Sequence, residues 1–146
     1  MYMQLTMVIQ ESLRLYGPGV IMAREALTNM QLGDLDVPEG IHIWTFIPAL
    51  HRDPKNWGSD ADEFKPERFE NGVSESCKYP QAYMPFGYGS RLCIGQTFAM
   101  LQLKIVLSLI LSKFSISLSP NYQHCPVYKM LLLPQHGIKL LVRRVQ

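Results

Sequence analysis

Residues 86–95 read FGYGSRLCIG and stand directly before the most apolar run of the chain, Ala99 to Leu111. One cysteine, Cys93, sits here among Phe86, Gly87, Gly89, Arg91 and Gly95. A cysteine just ahead of a helix lies where main-chain N–H groups point outward and the helix dipole is positive. Both effects favour thiolate over thiol. Glycines at 87, 89 and 95 permit positive φ and let the backbone approach a flat ligand or the sulfur itself. Arg91 can meet an anion with two parallel hydrogen bonds. Phe86 supplies an apolar wall.

Three readings of Cys93 are open at this level. Free cysteine is most often a small buried hydrophobe. A nucleophilic cysteine wants a histidine base, for which His51 and His124 are candidates, but no protease-type signature surrounds it. A thiolate ligand to haem iron needs a sulfur that stays ionised, is protected from water and oxidation, and is tuned by N–H groups. It also needs cations for the haem carboxylates, and the loop answers that description.

Outward from the loop, the N-terminal segment predicts a helix that begins at or before residue 1. Leu5, Val8, Ile9, Ser12, Leu13 and Tyr16 form one apolar face at i, i+3, i+4 spacing, and GPG at 17–19 stops it. VIMAREA (20–26) and IHIWTFIPAL (41–50) predict strands, with turns at LGDLD and PEG between them. Residues 51–80 predict a long irregular meander rich in proline and charge, of a kind that usually carries function. A helix is expected from about Ile94 to Phe114, then a β-hairpin around Pro134 to Gly137. The fold class is mainly α with minor β.

Composition narrows the function. The chain has 146 residues, enough for one domain with a real core, and 14 basic against 12 acidic residues. No basic cluster points to nucleic acid; Arg143-Arg144 is the only basic pair singled out. The N-terminus lacks the pattern of a signal peptide. The run Ala99–Leu111 is too short for a bilayer and is interrupted by Gln102 and Lys104. Cys77, Cys93 and Cys125 are odd in number and form no C-x-x-C pair, which argues against a disulfide framework or structural zinc.

Phe86, Gly89, Arg91, Cys93 and Gly95 match F-x-x-G-x-R-x-C-x-G, and with Ala99 they resemble the haem-binding loop of cytochromes P450. ESLR supplies an E-x-x-R pair, Glu11 and Arg14, and PERF supplies Pro66, Glu67, Arg68 and Phe69, all in the expected order and spacing. The resemblance runs from Leu5 to Arg144. It implies the C-terminal part of that fold: E-x-x-R helix, small β-sheets, meander, cysteine loop, long proximal helix and C-terminal β-hairpin. Residues 1–146 then form a C-terminal fragment of a single cytochrome P450 domain. No A-G-x-x-T type motif of the family's oxygen-handling helix occurs here.

The resemblance also assigns roles. Cys93 becomes the axial ligand to the iron of haem b. Arg91, Arg24 and His51 become partners of the haem carboxylates, with Phe86, Gly87 and Gly95 around the group. The competing reading of His51 is a turn residue bonded to local backbone. Glu11, Arg14 and Arg68 become a buried structural network, whereas an exposed Glu11–Arg14 pair would contribute only roughly 0.2–0.5 kcal/mol. Two arginines and one glutamate leave one positive charge, which needs backbone carbonyl partners. Phe98, Leu101, Ile105 and Leu109 are expected to pack against the core, as are Trp44 and Trp57. Cys77 and Cys125 are assigned polar surroundings and no role, and His124 and His136 solvated loops. No catalytic residue is assigned.

The implied activity is a haem-thiolate monooxygenase that inserts one oxygen atom of O2 into a small hydrophobic substrate. Its electrons come from NADPH-cytochrome P450 reductase, docked near Lys78 and Lys104. The full-length enzyme would sit on the cytosolic face of the endoplasmic reticulum, held by an N-terminal anchor not found in this sequence. Only Val20 to Ala23 and the hairpin tip could reach substrate. The chain most resembles plant microsomal members that modify gibberellins and brassinosteroids, which makes a terpenoid or steroid hormone the expected substrate. The alternative is a truncated, non-catalytic remnant without the oxygen-activation helix. An isomerase or dehydratase of the same fold ranks last, since such relatives alter the cysteine loop.

Overall fold

The computed structural model describes residues 2–145. Helix α1 spans Tyr2–Tyr16; the expectation that it starts at or before residue 1 lies outside the described residues. Gly17 follows it, where a Cβ would lie 2.5 Å from the Leu13 carbonyl oxygen, so a larger residue does not fit. The buried side of α1 keeps only part of the apolar stripe read from periodicity: Ile9 is buried and Leu5, Ser12 and Leu13 are half-buried. Val8 and Tyr16 are exposed, whereas Glu11 and Arg14 are the deepest residues of the helix, joined by Ile9 and Leu15. The charged pair is the part that packs against the meander.

Strand β1 (Ile21–Glu25) pairs antiparallel with β4 (His42–Phe46), placing Arg24 opposite Ile43. Between them β2 (Met30–Leu32) and β3 (Leu35–Val37) form a small hairpin, where the sequence reading had only a turn. The strand expected over 41–50 is cut short. Residues Ile47–Arg52 form helix α2, with a proline in its first turn, where proline costs no hydrogen bond. Trp44 was expected in the core and is 70% exposed, because β4 turns that side of its alternation to the open face.

The meander has more order than its composition promised. Helix α3 (Pro54–Trp57) is capped by Asp53, whose carboxylate accepts the Lys55 N–H at 3.0 Å. Short 3₁₀ turns follow at Pro66–Phe69, Val73–Glu75 and Pro80–Ala82. These turns fold over a core of Trp57, Ala61 and Phe69, with Met7, Val73, Cys77 and Tyr83 packed around it. Cys77 therefore borders an aromatic cluster, and burial pushes its thiol up. Trp57, as expected, is core.

Helix α4 runs from Gln96 to Leu111, shorter at both ends than the expected 94–114. Phe98, Leu101, Ile105 and Leu109 are each half or more exposed, against expectation. Within the described residues α4 packs mainly on α1 and on the strand that follows it, and neither covers that face. The C-terminal strands also pair differently from the reading. Strand β5 (Phe114–Leu118) pairs with β8 (Leu140–Arg144), and β6 (Pro126–Lys129) pairs with β7 (Leu131–Pro134). The turn at Pro134–Gly137 exists, closed by a Gly137 N–H to Pro134 carbonyl bond of 3.2 Å. It joins strands of two different sheets; the true hairpin turns at Met130. The Leu132 N–H donates to the Pro18 carbonyl at 3.0 Å, which ties that hairpin to the turn after α1. Helices with small antiparallel sheets are consistent with a mainly α chain carrying minor β.

Candidate functional site

The E-x-x-R pair is buried: Glu11 is 0% and Arg14 1% exposed. Glu11 accepts Arg14 Nε at 2.7 Å and Nη2 at 2.9 Å. Arg14 also donates to the carbonyls of His51 (2.6 Å), Ala61 (2.6 Å) and Glu63 (3.0 Å). The Lys65 N–H gives Glu11 a third bond, to Oε1 at 2.8 Å. These are the carbonyl partners that the excess positive charge demanded, and they hold α1 to the meander.

Arg68 joins less directly. Its Nε lies 3.6 Å from Glu11 Oε1 and is buried with no hydrogen-bond partner. Its principal partner is Asp60, bonded through Nη1 at 2.9 Å, with the Asp60 carbonyl on Nη2 at 2.7 Å. Arg68 and then Lys65 hold the Asp60 carboxyl well below the usual carboxylate range. Asp60 is the member the sequence reading missed. A second acid was the missing counter-charge for two arginines and one glutamate, and the acidic run just ahead of PERF was the available signal.

The segment that leads into the cysteine loop is tied to the same frame. Tyr83 donates its hydroxyl to the Gln10 carbonyl at 3.0 Å and stacks on His51 with ring centroids 5.6 Å apart. Burial, and next the Glu11 charge, push the Tyr83 hydroxyl up. His51 is 1% exposed, with both ring nitrogens engaged. Nδ1 bonds the Arg14 carbonyl at 2.9 Å, and Nε2 accepts the Met84 N–H at 3.0 Å. A carbonyl can only accept and an amide can only donate, so the ring is the neutral Nδ1–H tautomer. The carboxylate-binding role expected of His51 is corrected accordingly: it has no N–H to spare and does not line the cleft described below.

Burial and the nearby Arg14 charge hold the His51 pKa at about 4, although its hydrogen bond to the Arg14 carbonyl works the other way. The unfolded chain takes up this proton near pH 6.5, whereas the folded chain resists it until about pH 4. The resulting stability is complete above pH 6.5, declines as pH falls, and is gone below about 4, about 3 kcal/mol in all. Urea unfolding across that window is expected to show the decline in wild type and not in His51→Gln. Equal slopes for the two proteins would refute it.

Beyond Met84 the loop closes on itself. The Gly87 N–H donates to the Met84 carbonyl at 3.0 Å, and the Cys93 N–H to the Phe86 carbonyl at 2.9 Å. Gly87 has φ +80°, which a side chain rarely adopts. Gly95 does not need that freedom: its φ is −84°, and a Cβ there would stand 3.8 Å from Cys93 Sγ. Cys93 is exposed, so the shielding expected of the loop is not supplied by the described residues.

Met84, Pro85, Gly87 and Arg91 form one wall of an open cleft of about 270 Å3, and β1 with Arg24 forms the other. Two arginines and no acid line it, beside apolar Ile21, Met22, Ala23 and Ile47. Strand β1 and the cysteine loop thus bring Arg24 and Arg91 together, 67 positions apart in the chain.

The cytochrome P450 family model matches residues 2–142. The chain belongs to the cytochrome P450 family. It is 59% identical over 137 residues to Cytochrome P450 714A2 of Arabidopsis thaliana, covering 94% of this chain and 26% of that protein. It is 54% identical over 142 residues to Cytochrome P450 714C2 of Oryza sativa subsp. japonica, covering 97% and 27%. Cytochrome P450 CYP72A616 of Paris polyphylla is 46% identical over 140 residues, covering 96% and 27%. The chain thus spans about a quarter of the length of the curated relatives it matches. Membership implies haem as the cofactor, and the residues present fit it: paired cations, an apolar wall and an exposed cysteine on one loop. No described helix of this P450 chain is long and apolar enough to cross a membrane.

Proposed function

We propose that this chain is the C-terminal, haem-holding portion of a longer P450 monooxygenase. The observation that supports the reading is a cleft lined, among the described residues, by Arg24 and Arg91 and by no acid, one wall of which is the loop that bears Cys93. In it Cys93 would hold the iron of haem b through its thiolate, and the guanidinium groups of Arg24 and Arg91 would take the haem carboxylates. Phe86, Gly87 and Gly95 border the sulfur. Bound haem supplies the one-electron and oxygen chemistry by which one atom of O2 enters a C–H bond.

The chain's own residues bind and orient. The Glu11–Arg14–Arg68–Asp60 network fixes the meander, and the meander fixes the start of the loop. The substrate is a small hydrophobic molecule, a plant terpenoid or steroid hormone, in keeping with the plant relatives. The Leu132–Pro18 bond supports a substrate-facing edge made of the residues after Gly17 and the β6–β7 hairpin. NADPH-cytochrome P450 reductase is the electron donor, with Lys78 and Lys104 on its docking face, and the full-length enzyme lies at the endoplasmic reticulum.

The test is haem retention by the full-length protein that this reading implies. Removing one charge-assisted bond forfeits roughly 1.5–3 kcal/mol. Arg24→Ala and Arg91→Ala are therefore each expected to speed haem transfer to an acceptor apoprotein roughly ten- to a hundredfold. Unchanged transfer rates in both variants would remove the carboxylate clamp. A wild type that takes up no haem would favour the non-catalytic remnant.

A further inference from the structure

We propose that His51 is a positioning residue of the cysteine loop, tying the main chain of the E-x-x-R helix to the first amide of the segment that carries Cys93. The proposal rests on the haem reading above, and its geometry stands independently of it. One ring nitrogen holds the Arg14 carbonyl and the other holds the Met84 N–H. Pro85 follows and has no N–H, so the Met84 amide is the last main-chain donor before Phe86. From there the bonds run on: Met84 carbonyl to Gly87 N–H, then Phe86 carbonyl to Cys93 N–H. A displacement of α1 is thereby passed through one imidazole to the loop. His51 itself is immobilised by Tyr83 stacked on one side and Trp57 edge-on, and its own carbonyl is clamped by Arg14. A residue with both polar atoms spent on backbone from segments 37 and 33 positions away is a strut.

Side-chain shape separates this role from packing. In His51→Gln the amide oxygen can stand where Nε2 stood and accept the Met84 N–H. In His51→Asn the shorter amide reaches only the Arg14 carbonyl. In His51→Phe the stacked ring stays and both bonds go. The full-length protein is examined without and with haem. Two quantities are read: hydrogen exchange of the Met84 amide, and the share of thiolate-ligated signal in the reduced, carbon monoxide-bound spectrum.

Asn and Phe are expected to speed Met84 exchange roughly tenfold, the equivalent of one lost hydrogen bond. They are also expected to move most of the signal to the non-thiolate form. Gln is expected to keep both near wild type. A Phe variant that behaves as wild type, or Met84 exchange indifferent to all three changes, overturns the proposal. The exchange measurement needs no haem. A wild type without the thiolate band therefore refutes the haem assignment, and a flat exchange pattern refutes the strut.

Discussion

Glu11→Ala is expected to lose roughly 3–5 kcal/mol of stability and, with it, haem incorporation. Among the described residues Glu11 is the only carboxylate on Arg14, and it also accepts the Lys65 amide. Without it Arg14 keeps three carbonyl partners, but its charge is buried with no counter-ion. Arg68 suffers less, because Asp60 still engages it at 2.9 Å. Loss of Glu11 therefore strands one guanidinium group, that of Arg14, and not both. Glu11→Gln separates charge from shape, since the amide can accept one Arg14 bond and still leave the charge unpaired. Urea unfolding and haem content of the full-length protein are the measurements. A Glu11→Ala protein with wild-type haem content would contradict the claim that this network holds the loop in place.

Cys93→Ser is expected to have the opposite profile. Cys93 is exposed and packs against little, so stability should change by no more than about 0.5 kcal/mol. The thiolate-specific absorption of the reduced, carbon monoxide-bound protein should vanish completely, because a hydroxyl does not replace a thiolate donor. The two variants thus divide scaffold from chemistry: Glu11 changes the unfolding curve, Cys93 only the spectrum. An unaltered spectrum in Cys93→Ser would end the axial-ligand assignment.

The contacts that were legible in sequence are the local ones. The cysteine loop, the E-x-x-R pair and PERF are short patterns whose spacing is itself the information. What closes them is distant in the chain: Arg14 meets carbonyls of residues 37 to 49 positions away. No spacing rule reaches that far, so those carbonyls and the true partners of His51 were out of reach. The C-terminal strands show the same boundary from another side. The strand character of β7 and β8 was readable, that of β5 and β6 was not read, and neither was the pairing: β7 joined β6 rather than β8. Helix α4 is apolar nearly all round, so its sequence marked no particular face to bury. On α1 the period was right for Ile9, but the charged pair took the deepest positions while Val8 and Tyr16 stayed outside.

Every described residue that is fully buried lies between Ile9 and Ala82. The keystone of the molecule is therefore its first half, and everything from Tyr83 onward is cantilevered from it. Helix α4 and the last four strands present apolar side chains outward. Among the described residues one seam is closed, between α1 and the meander, and the long side of α4 is left open.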